Sequence, residues 1–301
     1  MHISAVIPTC NRAELVVQAV QSVLDQHSPA DEVWVIDDGS TDDTAAVLAQ
    51  FGDNIRVHRQ ENRGVSAARN TGIRLSRHEW LAFLDSDDLW KPKKLLRQRQ
   101  ELAQRPEMRI CYTDEEWRRN DRWKNPKMIH AKFSGWIYEK CLPLCIISPS
   151  SAIVHRSVFD EVGMFDENLP ACEDYDLWLR VTSRMPVLFI PERLIVKRAG
   201  EWPQLSQQHS LDKFRIQALV KRLNSGELAP AQADATRTLL AEKSRIYSLG
   251  CRKHGREEEL ARLDKLLSLV ENPEKQVVHD DAQNHYLDGG YNRRAGRTCS
   301  K

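Results

Sequence analysis

Alternating strand and helix patterns over the first ninety residues constrain the fold of this 301-residue chain more than any other feature. Short apolar runs typical of strands alternate with longer segments in which apolar side chains recur at helical spacing. This order predicts an α/β fold, with a mainly parallel sheet flanked by helices. The predicted strands are 2–7, 32–37, 55–58 and 80–84, and the predicted helices between them are 13–26, 41–51 and 65–75.

The remainder of the chain is less regular. Residues 211–270 carry apolar side chains at helical spacing, whereas those from 275 onward are polar with little periodicity. We therefore expect a globular domain over residues 1–209, a helical extension over 210–274 and a disordered tail over 275–301. Between the two regular parts we predict a basic helix at 92–104, irregular chain at 115–150, a strand edge and short helix at 154–162, a helix at 173–181, and short strands at 187–190 and 194–197.

Carboxylates directly follow two of the predicted strands. Ligands of open parallel sheets bind at the carboxyl ends of the strands, so these positions are candidate binding residues. Asp37 and Asp38 could accept hydrogen bonds from a nucleobase N–H or a ribose hydroxyl. The alternative is structural: Ser40 would cap the next helix with Asp43 as its partner, which explains those two residues better than it explains the two strand-end aspartates.

A denser acidic group follows the fourth predicted strand. Asp85, Asp87 and Asp88 are near neighbours in sequence, and like charges this close repel unless a cation lies between them. Carboxylate oxygens suit Mg²⁺ or Mn²⁺, which bridges protein carboxylates to substrate phosphates. No basic residue stands out as a neighbour, which favours a bound cation. The alternative is an acidic loop that caps the helix near Pro92.

Two further segments offer candidate site residues. In the stretch 62–72, Gly64 and other small residues permit close backbone approach, and Arg69 could reach a nucleotide; a packed helix explains the same stretch. At 171–180, acidic residues begin a helix, where they favour its positive end. One of them could instead be a general base, because an acceptor hydroxyl loses its proton during attack.

Together these segments resemble the family 2 glycosyltransferases, a group of inverting enzymes with the GT-A fold. The resemblance covers about residues 1–200 and rests on five motifs in a fixed order, each of which is common alone. The motifs are VIPTCNR (6–12), VIDDGSTD (35–42), GVSAARNTG (64–72), LDSDD (84–88) and Glu173-Asp174. The resemblance implies a GT-A domain, a Rossmann-like sheet with helices on its faces. Residues 210–301 carry no such resemblance, and the C-terminal helical appendage is expected from its apolar spacing alone.

The resemblance also implies roles for individual residues. Asp85 and Asp87 would form a DxD motif that holds Mn²⁺ or Mg²⁺ on the diphosphate of the donor, and Asp174 would be the catalytic base. The residues implied to contact the nucleotide-sugar are Thr9, Arg12, Asp37, Asp38, Arg69 and Asp85. A UDP-sugar is the expected donor, since the N3–H of uracil suits a carboxylate acceptor at Asp38.

We expect the transfer of a single sugar to a carbohydrate or lipid-linked acceptor. The processive synthases of the family end in membrane helices and a Gln-x-x-Arg-Trp motif, and neither is found in this sequence. A nucleotidyltransferase that makes nucleotide-sugars remains an alternative, although the turn at 8–12 lacks the glycines of its phosphate loop. A non-catalytic sugar-binding protein is a second alternative, although it would be expected to lose the DxD motif or Asp174.

Net charge and hydropathy limit which classes of partner the protein is expected to bind and where in the cell it is expected to lie. A net charge of +1 argues against a nucleic-acid surface, although it is compatible with a local basic patch. No apolar run approaches the roughly 18–20 residues that span a bilayer, and the first residues do not read as a signal peptide. We therefore expect a cytoplasmic protein, with peripheral contact to the inner face of a membrane left open. The seven scattered cysteines are expected to be free thiols.

Overall fold

The computed structural model describes residues 1–120, 122–125, 128–200, 202, 204 and 210–271. The chain divides into two compact units, with the division between residues 208 and 209. The tail predicted at 275–301 lies outside the described residues.

The described part of the first unit contains nine strands and seven α-helices. The strands are β1 (Ile3–Thr9), β2 (Glu32–Asp38), β3 (Arg56–Gln60), β4 (Trp80–Phe83), β5 (Leu89–Trp90), β6 (Ile110–Arg119), β7 (Arg122–Trp123), β8 (Ile153–His155) and β9 (Leu188–Ala199). The helices are α1 (Ala13–Leu24), α2 (Thr44–Ala49), α3 (Val65–Leu75), α4 (Lys94–Ala103), α5 (Tyr138–Cys141), α6 (Arg156–Val162) and α7 (Glu173–Thr182).

A single sheet joins all of these strands, in the order β3-β2-β1-β4-β8-β6-β9-β5, with β7 paired to β6. The first four strands in this order are parallel, as the alternating sequence pattern predicts. Strand β8 runs antiparallel to β4 and β6, and β9 is parallel to β6. The α/β fold is therefore confirmed, and the carboxyl ends of β1, β2 and β4 lie side by side.

Apolar side chains explain how the sheet is covered. Strand β1 is buried along its whole length, as expected for a parallel strand that has helices on its faces. Helix α1 contributes one apolar face to the same core. This face consists of Val16, Ala19, Val20 and Val23. Each of the three valines contributes about 1.5–3 kcal/mol when its side chain is fully buried.

The prediction of irregular chain at 115–150 is wrong for its first residues. Strand β6 extends from Ile110 to Arg119, and the short strand β7 pairs with its end. The carboxylates of Glu115 and Glu116 interrupt the apolar pattern, yet both residues are buried and ion-paired. Hydropathy patterns miss a strand of this kind because they treat charged residues as exposed.

The two short strands predicted at 187–190 and 194–197 are one strand, β9. Its pairing with β6 joins Thr113 to Ile190 and then Asp114 to Arg193, so two residues of β9 are skipped. One of the skipped residues is Pro191, which has no N–H to donate to a neighbouring strand. The irregularity at this proline explains why the sequence pattern splits one strand into two.

Helix α2 begins later than predicted, and Ser40 does not cap it. The helix starts at Thr44, whose backbone N–H donates to the Asp42 carboxylate at 3.0 Å. The Ser40 hydroxyl instead accepts a hydrogen bond from the backbone N–H of Asn11, at 2.9 Å. The serine therefore joins two loops of the sheet.

The second unit consists, in its described residues, of the helices α8 (Asp212–Asn224), α9 (Pro230–Lys253) and α10 (Glu257–Glu271). Helix α8 is tied to α9 by Asp212, which accepts a hydrogen bond from Lys243 at 3.0 Å. Tyr247 of α9 donates to Glu259 of α10 at 2.8 Å. Across the described ranges, no helix combines the length and the apolar character needed to cross a bilayer.

Candidate active site

Three loops meet at the carboxyl ends of β1 and β2. Asn11, which has a left-handed backbone (φ 50°), accepts a hydrogen bond from the Thr41 N–H through Oδ1, at 2.7 Å. Gly39 has φ 78°, and a Cβ on this residue would lie 2.8 Å from the Asn62 backbone nitrogen. The close approach requires glycine there and holds the loops after β1, β2 and β3 together.

Asp38 organises the loop that leads into α3. Its Oδ1 accepts hydrogen bonds from the Arg63 N–H at 3.0 Å and the Gln60 side chain at 2.7 Å. Its Oδ2 accepts from the Gly64 N–H at 2.8 Å, which satisfies a donor at the start of α3. Burial raises the pKa of Asp38 above its usual range. The structure thus gives Asp38 a role in shaping the loop, and contact with a nucleobase stays a prediction.

The neighbouring strand ends carry Asp37 and Thr9, which are paired in register. Asp37 accepts a hydrogen bond from the Ser40 N–H at 2.8 Å, and its other oxygen lies 3.7 Å from Arg59. The Thr9 hydroxyl is buried and has no hydrogen-bond partner among the described residues. Both residues lie where the nucleotide is expected, and their contact with it stays a prediction.

The DxD loop is fixed by a serine of the turn Pro149–Ser151. Ser150 Oγ accepts a hydrogen bond from the Asp85 N–H at 3.1 Å and donates to the Asp88 carboxylate at 2.7 Å. The backbone N–H of Arg198 donates to the same Asp88 carboxylate at 3.0 Å. Burial, and next the charge of Asp87, raise the pKa of Asp88 well above its usual range. Asp88 therefore holds the loop in place, whereas Asp85 and Asp87 are partly exposed.

Asp87 has a basic residue and two hydrogen-bond donors as neighbours. The sequence led us to expect no basic neighbour for this acidic group. Its Oδ2 lies 3.6 Å from a guanidinium nitrogen of Arg12. The same oxygen accepts hydrogen bonds from the Trp202 indole at 3.2 Å and the Gln204 amide at 3.0 Å. Arg12 thereby links the loop after β1 to the DxD loop.

Arg69 joins the DxD loop to helix α7. One guanidinium nitrogen lies 2.6 Å from Asp85 Oδ1, and another lies 2.6 Å from Glu173 Oε1. The Arg69 side chain is only 4% exposed, so both ion pairs are shielded from water. Burial disfavours the charge of Arg69, but the two carboxylates outweigh it and raise its pKa. The lack of a basic neighbour for Asp85, expected from the sequence, was therefore wrong.

The acidic residues that begin α7 have different surroundings. Asp176 is buried and forms an ion pair with Arg180, at 2.8 Å. Asp174 is partly exposed, and its Oδ1 accepts a hydrogen bond from the Tyr175 N–H at 2.7 Å. Cys172, the residue just before α7, has a left-handed backbone (φ 61°). Of the three acids at the start of α7, Asp174 is the one that is partly exposed, and its role as a base stays a prediction.

A lysine of β9 interacts with the charge of Asp174. The positive charge of Lys197 interacts with the carboxylates of Glu115, Asp88 and Asp174, which raise its pKa although burial opposes them. The Cys145 thiol lies beside the same groups, and burial, and next the charge of Asp174, raise its pKa. Lys197 thus electrostatically connects the DxD side of the site to the candidate base.

The donor atoms present fit a divalent cation whose remaining ligands come from substrate and water. The described residues contain no cluster of three or more histidines, cysteines or carboxylates that could hold a metal ion by itself. Asp85 Oδ2 and Asp87 Oδ1 accept no hydrogen bond from the described residues, whereas the other oxygen of each carboxylate is engaged. Mg²⁺ typically takes one or two carboxylates plus substrate phosphates and waters.

The structure brings together the loops that were selected from the sequence, and it adds contacts that sequence reasoning missed. The structure joins Arg12 to Asp87, and Arg69 to Asp85 and to the residue before Asp174. Sequence reasoning missed Ser150 and Lys197 because neither residue belongs to a motif. Glu173 carried a signal, since it belongs to a motif, but the sequence could not show that its partner is Arg69.

Comparison with known proteins bears on this arrangement. The model of the family "Glycosyl transferase family 2" matches residues 4–163, more than half of the chain. The chain belongs to this family. The matched range contains both the loops at the ends of β1 and β2 and the DxD loop.

Curated relatives agree with the family. The chain is 31% identical over 186 residues to a glycosyltransferase named for teichuronic acid biosynthesis, TuaG of Bacillus subtilis (strain 168). That match covers 60% of this chain and 72% of TuaG. A glycosyltransferase of Rickettsia bellii (strain RML369-C) is 29% identical over 248 residues, covering 77% of this chain. The chain spans only about a third of that longer protein, 35% of its length.

Solved structures share the fold. Staphylococcus aureus TarS 1–349 in complex with UDP-GlcNAc has a TM-score of 0.66 at 18% identity, and the match covers 81% of this chain and 71% of TarS 1–349. The mannosyltransferase PcManGT of Pyrobaculum calidifontis, in complex with GDP-Man and Mn²⁺, has a TM-score of 0.56 at 17% identity, covering 90% of this chain and 86% of PcManGT. The expected GT-A glycosyltransferase fold is confirmed.

Proposed function

We propose that this protein transfers a single sugar, with inversion, from a UDP-sugar to a hydroxyl of a carbohydrate or lipid-linked acceptor. The observation that carries the proposal is the double ion pair of Arg69 with Asp85 and Glu173. It fixes the DxD loop against the start of the helix that carries Asp174. A donor-binding carboxylate and a candidate base are thereby held in one place.

The residues of the site suggest how the chain would promote the reaction. Asp85 Oδ2 and Asp87 Oδ1 would hold a divalent cation, which when bound stabilises negative charge on the leaving diphosphate. Arg69 keeps Asp85 oriented toward that position, and Arg12 does the same for Asp87. Asp174 would take the proton of the acceptor hydroxyl as the bond to the anomeric carbon forms. A single displacement that inverts the anomeric carbon needs only this one base.

The nucleotide is proposed to be UDP because Asp38 lies at a strand end with a carboxylate that can accept the uracil N3–H. Of the structures similar to this chain, TarS is described with UDP-GlcNAc and PcManGT with GDP-Man. The fold alone therefore does not select the base. We place the enzyme in the cytoplasm, at the inner face of a membrane, in the synthesis of cell-surface glycans or glycoconjugates.

Nucleotidyl transfer and non-catalytic sugar binding are disfavoured by the same observations. Family membership points to glycosyl transfer. The DxD carboxylates, the ion pairs that position them and Asp174 are all retained. A descendant that only binds sugars would not need a partly exposed carboxylate beside a buried ion pair.

The first test is donor turnover. Hydrolysis of UDP-, GDP- and dTDP-sugars should be fastest for a UDP-sugar in Mn²⁺ or Mg²⁺, and a chelator should abolish it. Asp87→Ala should abolish turnover without unfolding the chain, while Asp53→Ala, at an exposed position outside the site, should leave turnover unchanged. Full turnover in excess chelator would contradict the metal. Calorimetry showing tighter binding of GDP than of UDP would contradict the choice of nucleotide.

A further inference from the structure

Exposed apolar side chains are concentrated in one short part of the chain. Among the described residues, nine large apolar side chains are exposed, and five of these lie between residues 123 and 136. Met128 is 88% exposed and Trp136 is 67% exposed. The other three are Trp123, Ile129 and Phe133. A cluster of this kind marks an interaction surface.

The same part of the chain is strongly basic. Residues 117–133 contain six lysines and arginines against one aspartate, although the whole chain has a net charge of only +1. Arg119, Arg122 and Lys124 are exposed and form no ion pair with any described residue. Together with Asn120 and Trp123 they line a surface groove of about 570 Å³. The near-neutral composition therefore conceals a local positive surface.

Buried contacts attach this segment to the sheet at Lys132 and Phe133. Lys132 is buried, where it lies 3.0 Å from Glu115 Oε1 and donates to the Ile146 carbonyl at 3.0 Å. The Tyr112 hydroxyl accepts from the Phe133 N–H at 2.9 Å and donates to the Phe133 carbonyl at 2.7 Å. The anchor is fixed while the apolar side chains remain in contact with water.

The anchor also relates this surface to the candidate site. Glu115, the partner of Lys132, interacts with the charge of Lys197, and Lys197 interacts with Asp174. Lys132, which anchors the exposed segment, and Asp174 thus belong to one set of interacting charges.

We propose that the described residues of this segment, 117–120, 122–125 and 128–136, form a membrane-docking surface, which binds the interface of a bilayer that contains anionic lipids. Tryptophan, isoleucine and methionine side chains suit the boundary between headgroups and acyl chains, and the basic side chains attract anionic headgroups. An acidic polysaccharide is the competing partner for the charge. It does not explain the exposed Met128 and Ile129, because sugars stack on aromatic rings rather than on flexible aliphatic chains. The docking surface goes beyond the proposed transfer reaction and does not depend on the identity of the donor.

Vesicle binding of the full chain tests the docking surface. The protein should sediment with vesicles of phosphatidylcholine mixed with phosphatidylglycerol, and it should bind them at least 10-fold more tightly than vesicles of phosphatidylcholine alone. Each basic residue near an anionic surface contributes about 1 kcal/mol to binding. Arg122→Ser/Lys124→Ser should therefore lower the partition coefficient about 30-fold. Raised salt should weaken the binding. Met128→Ser/Ile129→Ser should reduce binding to the same vesicles at every salt concentration.

The matched control replaces two aliphatic residues of similar exposure elsewhere. Ile246 and Leu249 are 48% and 51% exposed on α9, and Ile246→Ser/Leu249→Ser should leave vesicle binding unchanged. Hydrolysis of a UDP-sugar in solution should be unaltered in all three double variants, which separates the docking surface from the catalytic proposal. Equal binding to neutral and anionic vesicles, or equal loss in the control variant, would overturn the inference. Retention on an acidic polysaccharide without vesicle binding would overturn it in favour of a glycan partner.

Discussion

At the scale of single residues, the start of α7 shows how one structural contact can separate neighbouring carboxylates. From sequence, Asp174 is the candidate base by resemblance, and Asp176 and Glu173 are rivals only one or two positions away. In the structure Glu173 is engaged by Arg69 and Asp176 by Arg180. Both of these carboxylates are buried and engaged in ion pairs, whereas Asp174 is partly exposed. Asp174 is left as the residue to test.

Asp174→Asn should lower the rate of sugar transfer roughly 100-fold or more, which is the usual scale for the loss of general-base assistance. The amide keeps the oxygen that accepts the Tyr175 N–H, so the helix start should be preserved. Calorimetry should show UDP affinity in Mn²⁺ close to that of the unchanged protein, because the proposed nucleotide contacts lie on other elements.

The paired measurement is made on Asp176→Asn. This change weakens a buried ion pair with Arg180, so it should lower the melting temperature while the folded fraction retains turnover. If Asp176→Asn loses turnover and Asp174→Asn keeps it, the assignment of the base is wrong and family membership is unaffected.

The site residues also show where sequence reasoning fails. The resemblance selected Arg69 and Asp85 separately, as contacts of a ligand, and did not show that they contact each other. Residue pairs this distant in sequence become neighbours only through the order of the strands, since α3 precedes β4 and α7 follows β8. Ser150 and Lys197 belong to no motif, so only the structure could reveal them.

At the scale of elements, the packing of α3 against β1 shows a constraint that the sequence suggested in part. Small residues in the stretch 62–72 predict close backbone approach, and α3 begins and ends where the pattern places it. The structure adds the position of closest contact. A methyl group on Gly72 would overlap the Val6 side chain, which is itself fully buried in β1. The helix therefore approaches the sheet too closely for any larger residue at this position.

Gly72→Ala should destabilise the first unit by about 1–3 kcal/mol, the usual cost of overfilling a packed core. The free energy of unfolding in urea measures the change. Gly250→Ala is the matched control, since Gly250 lies in α9 with open space where its Cβ would be. There the substitution should stabilise by about 0.8–1 kcal/mol, because alanine is the better helix former. A gain of stability in Gly72→Ala would show that α3 can move away from β1.

Elements with buried charges were the ones that sequence patterns described poorly. Strand β6 carries Glu115 in the core against Lys132, and hydropathy patterns have no means of recognising such a pair. Strands β1, β2 and β4 were found because their side chains are apolar and buried. The difference is physical: burial of an apolar side chain follows from its own chemistry, whereas burial of a charge requires a partner that folding supplies.

At the scale of the whole molecule, the near-neutral charge argued against a nucleic-acid surface but concealed the position of individual charges. The sequence places four lysines and arginines among residues 91–97, which indicates a basic, solvated helix. The structure instead buries one of them completely. Lys94 is 0% exposed, its Nζ donates to Gln98 Oε1 at 2.9 Å, and it lies 4.0 Å from the centre of the Trp90 ring.

This buried lysine should make the stability of the protein depend on pH. Burial lowers the pKa of Lys94 to about 7, whereas a lysine in the unfolded chain has a pKa of about 10.4. Between these two values the unfolded chain binds a proton that the folded chain lacks, so the free energy of unfolding rises with pH. Below about pH 7 both states are protonated, and the cost of burying the charge is constant.

Lys94→Met removes this cost, so the free energy of unfolding of the variant minus that of the unchanged protein should be largest at about pH 6. Above about pH 7 that difference should fall by up to about 1.4 kcal/mol per pH unit. Urea unfolding between about pH 6 and about pH 9 measures both curves, and Lys93→Met, at the exposed neighbouring position, should run parallel to the unchanged protein. If the curve of Lys94→Met runs parallel to that of the unchanged protein, Lys94 keeps its charge in the folded state over the whole pH range. Loss of the hydrogen bond to Gln98 would add only a constant difference between the two curves.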